Sequence, residues 1–234
     1  MKRKLVVLSG AGISAESGFA TFRDSGGLWE NHPVERVATP EGWAADPDYV
    51  NDFYNGLRQQ LVTAQPNRGH ELLAELEEQW DVTIITQNVD DLHERAGSSH
   101  VVHLHGELMK VTSSQHPDNP DCITTLSAPH LNVLPGQRAA DDSLMRPYIV
   151  WFGEAVPMIE HAAQLVAQAD VFVIVGTSLV VYPAAGLVHY APQNCPIYLI
   201  DPNEVKVPSS KRITFIQQGA AAGIAQLCAL LANS

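Results

Sequence analysis

Short runs of apolar residues, separated by helical patterns, constrain the fold of this chain more than any other feature. Parallel strands are buried on both faces of a sheet and therefore read as nearly continuous apolar sequence. Each run is too short for a membrane span, which needs about 20 apolar residues. The runs that fit buried strands are residues 5–8 (LVVL), 82–85 (VTII), 171–175 (VFVIV) and 196–200 (PIYLI).

Amphipathic helical patterns lie between and after these runs. In residues 67–76, Leu72, Leu73 and Leu76 share one face, and Asn67 is suited to cap the helix. Residues 157–168 and 219–231 show similar patterns. Strands that alternate with helices predict a parallel sheet covered on both faces. We therefore predict an α/β fold whose large domain is a doubly wound, Rossmann-like parallel sheet.

Two stretches break this alternation. Residues 31–64 look helical and loop-like, and residues 109–146 are rich in Ser, Asp, Pro and Asn with little periodicity. A structureless loop of such length is unusual in a compact domain unless it is functional or forms a subdomain. We expect a Rossmann-like large domain built from 1–30, 65–108 and 147–234. The two insertions, 31–64 and 109–146, would form a small, mostly helical or irregular subdomain.

The net charge indicates which classes of partner the protein binds, and the cysteines indicate the compartment in which it works. The net charge is −12, with 14 Lys and Arg against 26 Asp and Glu. Nucleic-acid binding depends on clustered basic residues, so we expect no nucleic-acid partner, and no membrane contact. Cys122, Cys195 and Cys228 form no CxxC pair, as is usual in a reducing compartment. We expect a cytoplasmic, monomeric protein.

The first apolar run leads directly into a glycine-rich turn, GAGISAESG. Gly10 and Gly12 fit the GxGxxA form of the dinucleotide fingerprint, in which backbone N–H groups approach a pyrophosphate. A tight turn between packed elements is the alternative. A dehydrogenase of this fold needs a second strand and an acid about 20 residues later. The chain instead continues into a loop that carries Phe22, Arg23 and Trp29.

Polar residues follow the second apolar run. Asn88 and Asp90 come after its carboxyl end, where open α/β sheets bind ligands, although an Asx-type helix cap explains them equally well. His103 and His105 then share a face if the chain is extended. Three interpretations compete for this pair: a metal site, one catalytic and one structural histidine, or two ordinary surface histidines. No further metal ligands stand at a telling spacing.

Six motifs in order resemble those of the sirtuin family across nearly the whole chain: GAGISAESG, TFRD, TQNVD, HLHGEL, VWFGE and GTSLVVYPAAGL. The resemblance implies NAD-dependent deacylation of lysine in proteins or peptides. Nicotinamide leaves NAD, the acyl oxygen attacks the exposed ribose carbon, and a histidine takes a proton from a ribose hydroxyl. An imidazole is well suited to that step near neutral pH.

The same resemblance assigns roles to individual residues. His105 would be the general base, and Asn88 would take part in catalysis. Phe22 would shield the reactive ribose. The cofactor-binding residues would be Gly10, Ala11, Gly12, Glu16, Phe22, Arg23, Trp29, Gln87, Asn88, Asp90, Gly176, Thr177, Ser178, Asn203 and Ala220. The substrate-binding residues would be Ala38, Tyr54, Arg58, Val150, Phe152 and Gly153.

The chain departs from the family pattern between the catalytic histidine and WFGE. Most sirtuins carry two CxxC pairs there, which bind a structural zinc, whereas this interval holds only Cys122. His116, Asp118 and His130 do not match the spacing of a standard zinc site. We therefore expect no metal and a zinc-less, bacterial-type variant.

A second departure concerns the acyl group. Sirtuins that remove acidic acyl groups carry Tyr-x-x-Arg together with a small Ala, and this chain keeps Ala38 and Tyr54. Leu57 stands where the arginine is expected, and Arg58 follows one position later. One helical step rotates a side chain by about 100°, so Arg58 need not face the pocket. We expect a roomy pocket in which uncharged acyl groups react at least as well as succinyl.

Two other functions remain open from the sequence. One is an NAD-dependent ADP-ribosyltransferase, which shares the cofactor step but uses another nucleophile. The other is a module that senses NAD or ADP-ribose without turnover. The presence of Asn88, Asp90 and His105 together argues against the sensor.

Overall fold

The computed structural model describes residues 2–19, 32–207 and 213–232 of the chain. The strands in these ranges are β1 (Lys4–Ser9), β2 (Asp81–Thr86), β3 (Val101–His103), β4 (Gly106–Ser113), β5 (Thr124–Thr125), β6 (Met145–Ile149), β7 (Val171–Val175), β8 (Ile197–Ile200) and β9 (Ile213–Ile216). The α-helices are α1 (Val34–Val37), α2 (Pro40–Ala45), α3 (Pro47–Leu61), α4 (Arg68–Glu75), α5 (Leu92–Arg95), α6 (Ile159–Val166) and α7 (Ala220–Leu231). Short 3₁₀ segments are Ala11–Ile13, Ala15–Ser17, Leu76–Glu78, Pro120–Cys122 and Ala184–Tyr190.

The main sheet has the order β3-β2-β1-β7-β8-β9 in the described part of the chain. Every neighbouring pair in it is parallel. This is the doubly wound order of dinucleotide-binding folds, with the reversal between β1 and β7. The predicted fold class is therefore confirmed, and the four apolar runs form β1, β2, β7 and β8.

Apolar cores cover both faces of this sheet. Successive side chains of a strand point to opposite faces, and β1 follows this rule. Leu5 and Val7 pack into the core that α4 and α7 complete, and Val6 and Leu8 pack into the core that α6 completes. The helix predicted from residue 67 begins as expected, since Asn67 Oδ1 accepts a hydrogen bond from Gly69 N (2.8 Å). The sheet thus places its carboxyl edge, and the loops there, on a rigid support.

The insertion at 31–64 is helical, as predicted, and its helices have well-defined starts. Thr39 and Asp46 cap α2 and α3 with their side chains, and a proline follows each cap. Val50, Leu57 and Leu61 on α3 pack into a separate core. Within the described ranges, no helix combines the length and apolar character that crossing a lipid bilayer requires.

The insertion at 109–146 contains a small antiparallel sheet that the sequence pattern did not predict. Its order is β5-β4-β6. The predicted domain boundaries after residues 108 and 146 fall inside β4 and β6, so both strands cross between the predicted parts. The division into two domains stays a prediction. The irregular segment thus carries strands because β4 gains a partner about 35 residues away, which local periodicity does not show.

Candidate active site

Two glycine-bearing turns meet at the carboxyl ends of β1 and β7. Gly10 N donates to Val175 O (3.0 Å), and Gly12 N donates to Gly176 O (2.9 Å). A Cβ on Gly10 or on Gly12 would lie 2.7 Å from Gly176. Gly176 itself has φ +63°, a region that side chains disfavour. Bare main chain therefore forms the floor at this edge of the sheet, which allows a ligand phosphate to approach closely.

A cavity of about 650 Å³ lies along the carboxyl ends of β1, β2, β7 and β8. It includes the point between β1 and β7 where the strand order reverses, which is where open α/β sheets bind ligands. The predicted residues of the glycine turns and nearby segments that line it are Gly10, Ala11, Gly12, Glu16, Gly176, Thr177, Ser178, Asn203 and Ala220. The other predicted residues that line it are Ala38, Tyr54, Gln87, Asn88, His105, Val150, Phe152 and Gly153.

Two polar contacts tie the strand ends around this cavity together. Gln87 Nε2 donates to Thr177 Oγ1 (3.1 Å), which links the ends of β2 and β7. Glu16 Oε1 accepts from Ala221 N (3.2 Å) in the first turn of α7. A carboxylate is stabilised at a helix N-terminus, where N–H groups are unpaired. Ala220 is thereby held beside the glycine turn.

Asn88 occupies a buried, fully oriented position at the wall of the cavity. Its backbone N donates to Thr86 Oγ1 (3.0 Å), and its Nδ2 donates to Ser14 Oγ (3.1 Å). Its carbonyl oxygen accepts from His103 Nδ1 (3.1 Å). Ser14 in turn donates its hydroxyl proton to Asp90 (2.9 Å). The side chain of Asn88 is therefore fixed before any ligand binds.

Asp90 lies behind this wall and does not line the cavity. Its side chain is buried, and it accepts hydrogen bonds from Ser14 Oγ and Leu92 N (3.2 Å). Burial raises the pKa of Asp90, and these two bonds work against that rise. In this structure Asp90 thus orients Ser14, and Ser14 holds Asn88, while the predicted contact of Asp90 with the cofactor stays a prediction.

His105 presents a proton acceptor to the cavity. Its Nδ1 lies 2.9 Å from Gln87 O. A carbonyl oxygen only accepts, so Nδ1 carries the ring proton and Nε2 is bare. Burial lowers the pKa of His105, and the bond to Gln87 partly opposes this. The imidazole is therefore neutral at neutral pH and suited to act as a general base.

His103 plays a different part from His105. Its Nδ1 donates to Asn88 O and its Nε2 lies 2.7 Å from Glu94 Oε1. Burial disfavours the charged ring, but the Glu94 carboxylate outweighs burial and raises the pKa of His103. It does not line the cavity. His105 therefore lines the cavity and His103 supports Asn88. That one histidine is catalytic and the other structural stays a prediction.

The wall near Ala38 is made of aromatic side chains. Trp151 Nε1 donates to the hydroxyl of Tyr54 (3.1 Å). Burial raises the pKa of Tyr54, so the phenol stays protonated. The guanidinium of Arg146 stacks 3.4 Å from the centre of the Trp151 ring, a favourable cation–π arrangement. Aromatic rings thus line this part of the cavity together with one phenol group and the carboxylate of Glu154.

Arg58 points away from the cavity. Its side chain is fully buried, and Nε donates to Leu108 O (2.8 Å) while Nη1 donates to Asn55 Oδ1 (2.8 Å). Burial lowers the pKa of Arg58 to about 10, so it stays charged at neutral pH. Because α3 is regular through Leu61, the guanidinium is turned into the protein. The assignment of Arg58 to substrate binding is therefore corrected to a structural role.

Residues 150–153 run along the cavity between two fixed points. Val150 N donates to His105 O (3.0 Å), and Phe152 N donates to Ala38 O (3.0 Å). Glu154 accepts from Trp151 N (2.7 Å) and from Arg146. The segment is thus tied both to His105 and to Ala38, which directly follows α1.

Some lining residues had not been predicted, and three predicted ones lie outside the described ranges. Trp151, Tyr182, Asp201 and Gly219 also line the cavity. Asp201 directly follows β8, so the strand-end rule that identified Asn88 also applies to it. Trp151 lies inside the VWFGE motif. The predictions for Phe22, Arg23 and Trp29 fall outside the described residues.

The doubly wound sheet, the paired glycine turns and the cleft at the switch point together define a dinucleotide-binding α/β protein. A protein-family model described as the Sir2 family matches residues 10–183. The chain belongs to the Sir2 family.

Curated relatives agree over nearly the whole length. An NAD-dependent protein deacylase of Bacteroides thetaiotaomicron is 59% identical over 229 residues, which is 98% of this chain and 98% of that protein. An NAD-dependent protein deacylase of Helicobacter pylori is 51% identical over 218 residues, 93% of each chain.

Solved structures share the fold and add ligands. A Sir2 homologue in complex with NAD has a TM-score of 0.85 and 38% identity, covering 99% of this chain and 90% of that one. A Sir2 variant with a deacetylated p53 peptide and 3′-O-acetyl ADP-ribose has a TM-score of 0.79 and 28% identity, covering 98% and 94%.

Proposed function

We propose that this chain removes acyl groups from lysine side chains of proteins, consumes NAD and transfers the acyl group to ADP-ribose with release of nicotinamide. NAD-dependent protein deacylation follows from the family and from relatives at 50–59% identity. The observation that carries the proposal is one cavity that both the bare glycine main chain and His105 line. NAD bound with its pyrophosphate at the glycine turns would direct its nicotinamide ribose towards the base.

His105 is the proposed general base. Its bare Nε2 accepts a proton from a ribose hydroxyl, while Nδ1 keeps its bond to Gln87 O. The low pKa that burial gives His105 keeps Nε2 free to accept a proton at neutral pH. Asn88 is the proposed partner that orients the nicotinamide ribose, since its side chain is already fixed by Ser14.

We assign the remaining cofactor contacts to residues that line the cavity. The main chain at Gly10, Ala11 and Gly12 would receive the phosphates, as it does in dinucleotide folds generally. Other residues of the wall would hold the ribose and adenosine parts. In this proposal they are Glu16, Gln87, Gly176, Thr177, Ser178, Asn203 and Ala220, with Asp90 acting through Ser14.

The acyl pocket is proposed to favour uncharged groups. Ala38 and Tyr54 line it, and Arg58 is bound internally to Leu108 and Asn55. No Lys or Arg of the described residues lines the cavity, so these residues give a succinyl carboxylate no charged partner to replace its water shell. We expect kcat/KM for acetyl-lysine to equal or exceed that for succinyl-lysine.

Val150, Phe152 and Gly153 are proposed to hold the peptide by adding it as a β-strand. The amides of Val150 and Phe152 already bond to His105 and Ala38. A peptide would therefore pair with carbonyl groups of this segment. Because main-chain pairing does not read side chains, such an enzyme accepts many sequences around the acyl-lysine.

We further propose that the protein is a zinc-less member of the family. Among the described residues, no three His, Cys, Asp or Glu side chains group as metal ligands do. The donor set does not fit zinc, because Cys122 is the one cysteine in the interval and its side chain is buried. Other contacts hold this segment: Ser113 and Ser143 both donate to Asp141 (2.6 and 2.8 Å).

Location and oligomeric state stay predictions. Cys122, Cys195 and Cys228 all lie in the described ranges and form no disulfide there, as a reducing cytoplasm would keep them. Light scattering of the purified protein would test the predicted monomer.

Nicotinamide release from NAD, with and without an acetylated peptide, tests the proposed function. Release that needs the peptide, with the acyl group found on ADP-ribose, supports deacylation. Release with ADP-ribose attached to a protein supports the transferase alternative. Binding of NAD without any release supports a sensor. His105→Ala is the control, because it removes the base while leaving the glycine turns intact.

A further inference from the structure

A row of buried polar side chains lies directly behind the cleft. Ser9 and Thr86 end β1 and β2, His93 lies on α5 and His70 on α4. All four are at most 1% exposed, and none lines the cavity. Buried polar groups are costly unless they are bonded, so such a row requires an explanation.

The hydrogen bonds of this row fix where each proton lies. Asn67 N donates to His70 Nδ1 (3.3 Å), so the proton of neutral His70 is on Nε2. Ser9 Oγ donates its proton to Thr86 Oγ1 (2.9 Å), so it can only accept from His93 Nε2 (2.9 Å). His93 therefore carries its proton on Nε2 and has a bare Nδ1.

The two ring nitrogens left over are complementary. His70 Nε2 and His93 Nδ1 are buried and have no hydrogen-bond partner among the described residues. The first is a donor and the second an acceptor, and the rings stand edge to face with centres 4.9 Å apart. Burial lowers the pKa of both rings, so both are neutral. A bond between these two atoms is the link that the proposal below adds to the row.

Each end of the row holds a part of the cleft. At one end, Asn67 Nδ2 donates to Ile13 O (2.7 Å) and to Ser17 Oγ (2.9 Å), which lie in the glycine turn. At the other end, Thr86 Oγ1 accepts from Asn88 N (3.0 Å). Hydrogen bonds thus run from each place where NAD would be held to one of the two histidines, and the rings of His70 and His93 meet in between.

We propose that His70 and His93 are positioning residues. Together they link Asn67 to Thr86 through hydrogen bonds that all point in one direction, and this link fixes the position of Asn88 relative to the glycine turn. The inference rests on the proposed role of Asn88. A buried chain of this kind orients a catalytic group through its supports, because each link has a single proton arrangement.

The test measures steady-state kinetics of variants that break the chain at different links. Ser9→Ala removes the middle link with the loss of one oxygen, and His93→Phe removes both ring nitrogens. His93→Gln keeps an N–H at the position of Nε2 and should restore the bond to Ser9. Leu73→Ala is the matched control, since Leu73 is fully buried on the same helix as His70 but outside the chain. Assays run well below every variant's Tm.

Ser9→Ala and His93→Phe should lower kcat for nicotinamide release about tenfold or more, with KM for the acyl peptide unchanged. A small displacement of a catalytic group has effects of this size. His93→Gln should recover most of the loss. Leu73→Ala should lower Tm and leave kcat near the wild-type value. Wild-type kcat in folded Ser9→Ala and His93→Phe would overturn the proposal, as would an equal loss in Leu73→Ala.

Asn88→Ala, assayed in parallel, shows whether a negative result contradicts the proposed role of Asn88 or the proposed hydrogen-bond chain. If Asn88→Ala keeps full activity, the proposed role of Asn88 fails. If it is inactive while the chain variants are normal, only the positioning chain fails. Should the variants not fold, ¹⁵N spectra of the wild-type imidazoles still decide. Both rings must be neutral with the proton on Nε2, and a proton on Nδ1 of either ring contradicts the chain.

Discussion

Replacing Arg58 gives a strong test of how the acyl pocket is built. The guanidinium bonds to Leu108 O and Asn55 Oδ1 in the interior and is absent from the cavity wall. We therefore expect Arg58→Ala to destabilise the protein without changing its preference among acyl groups. Arg58→Met, which keeps most of the volume, should be milder.

The size of the effect follows from the contacts of Arg58. Two hydrogen bonds from a charged donor contribute about 3–6 kcal/mol together. Burial of the charge lowers the pKa of Arg58 from 12.5 to about 10, which corresponds to an opposing cost of about 3 kcal/mol. Truncating a long buried side chain to Ala leaves a cavity that costs about 2–5 kcal/mol. The net loss in the free energy of unfolding is about 4–5 kcal/mol for Arg58→Ala and about 2 kcal/mol for Arg58→Met.

Urea unfolding measures the stability change, and kcat/KM for acetyl- and succinyl-lysine peptides measures the preference. Arg58→Met should keep the ratio of the two kcat/KM values within about twofold, which is less than 0.5 kcal/mol. Arg138→Met is the control for lost charge, because Arg138 is exposed on the same subdomain. The reasoning is refuted if wild type prefers succinyl strongly and Arg58→Ala abolishes that preference with little loss of stability.

Further predictions concern the base, the metal and pH. His105→Ala and Asn88→Ala should each lower deacylation by about 10²–10⁴-fold with an unchanged Tm, and near-normal turnover in His105→Ala would reject the assigned base; His103→Ala should lose less. Elemental analysis should find no stoichiometric zinc, and activity should survive a chelator, because Cys122 is the one cysteine in the interval; about one zinc per chain would contradict this. Folding lowers the pKa of His70 from 6.5 to about 4. The neutral ring therefore favours the folded state above pH 6.5, and about 3 kcal/mol of this contribution is lost as the pH falls towards 4. Urea unfolding at several pH values should show a flatter profile in His70→Gln, and identical profiles would exclude this cause.

The main sheet could be predicted because its strands are buried on both faces. Residues 171–175 are apolar throughout, so their run identifies a strand without any partner being known. The small sheet lacks that signal: β4 contains Lys110 and Thr112, and it pairs with β6 across a long irregular segment. Its strands depend on a partner that local periodicity does not show.

The sequence motifs predicted which residues form the site, but they did not predict which way each side chain points. His105 and Asn88 face the cavity, whereas Asp90, two residues from Asn88, turns towards Ser14. Arg58 is one helical step past the expected position and finds its acceptors at Leu108 and Asn55. Which way a polar side chain turns depends on acceptors brought together by folding, and motif spacing does not contain them.

Residues 109–146, which contain Cys122 as their one cysteine, are held by a contact that bears on the conditions under which this segment stays in place. The Asn55 amide bonds to both main-chain groups of Val133: Nδ2 donates to Val133 O (2.9 Å), and Oδ1 accepts from Val133 N (2.9 Å). The Asn55 side chain thus makes the two main-chain hydrogen bonds to Val133 that a neighbouring strand would otherwise make. An amide neither titrates, oxidises nor competes for a metal ion. This clasp therefore holds equally well in zinc-starved, acidified or oxidatively stressed surroundings, where a thiolate-bound metal would be lost.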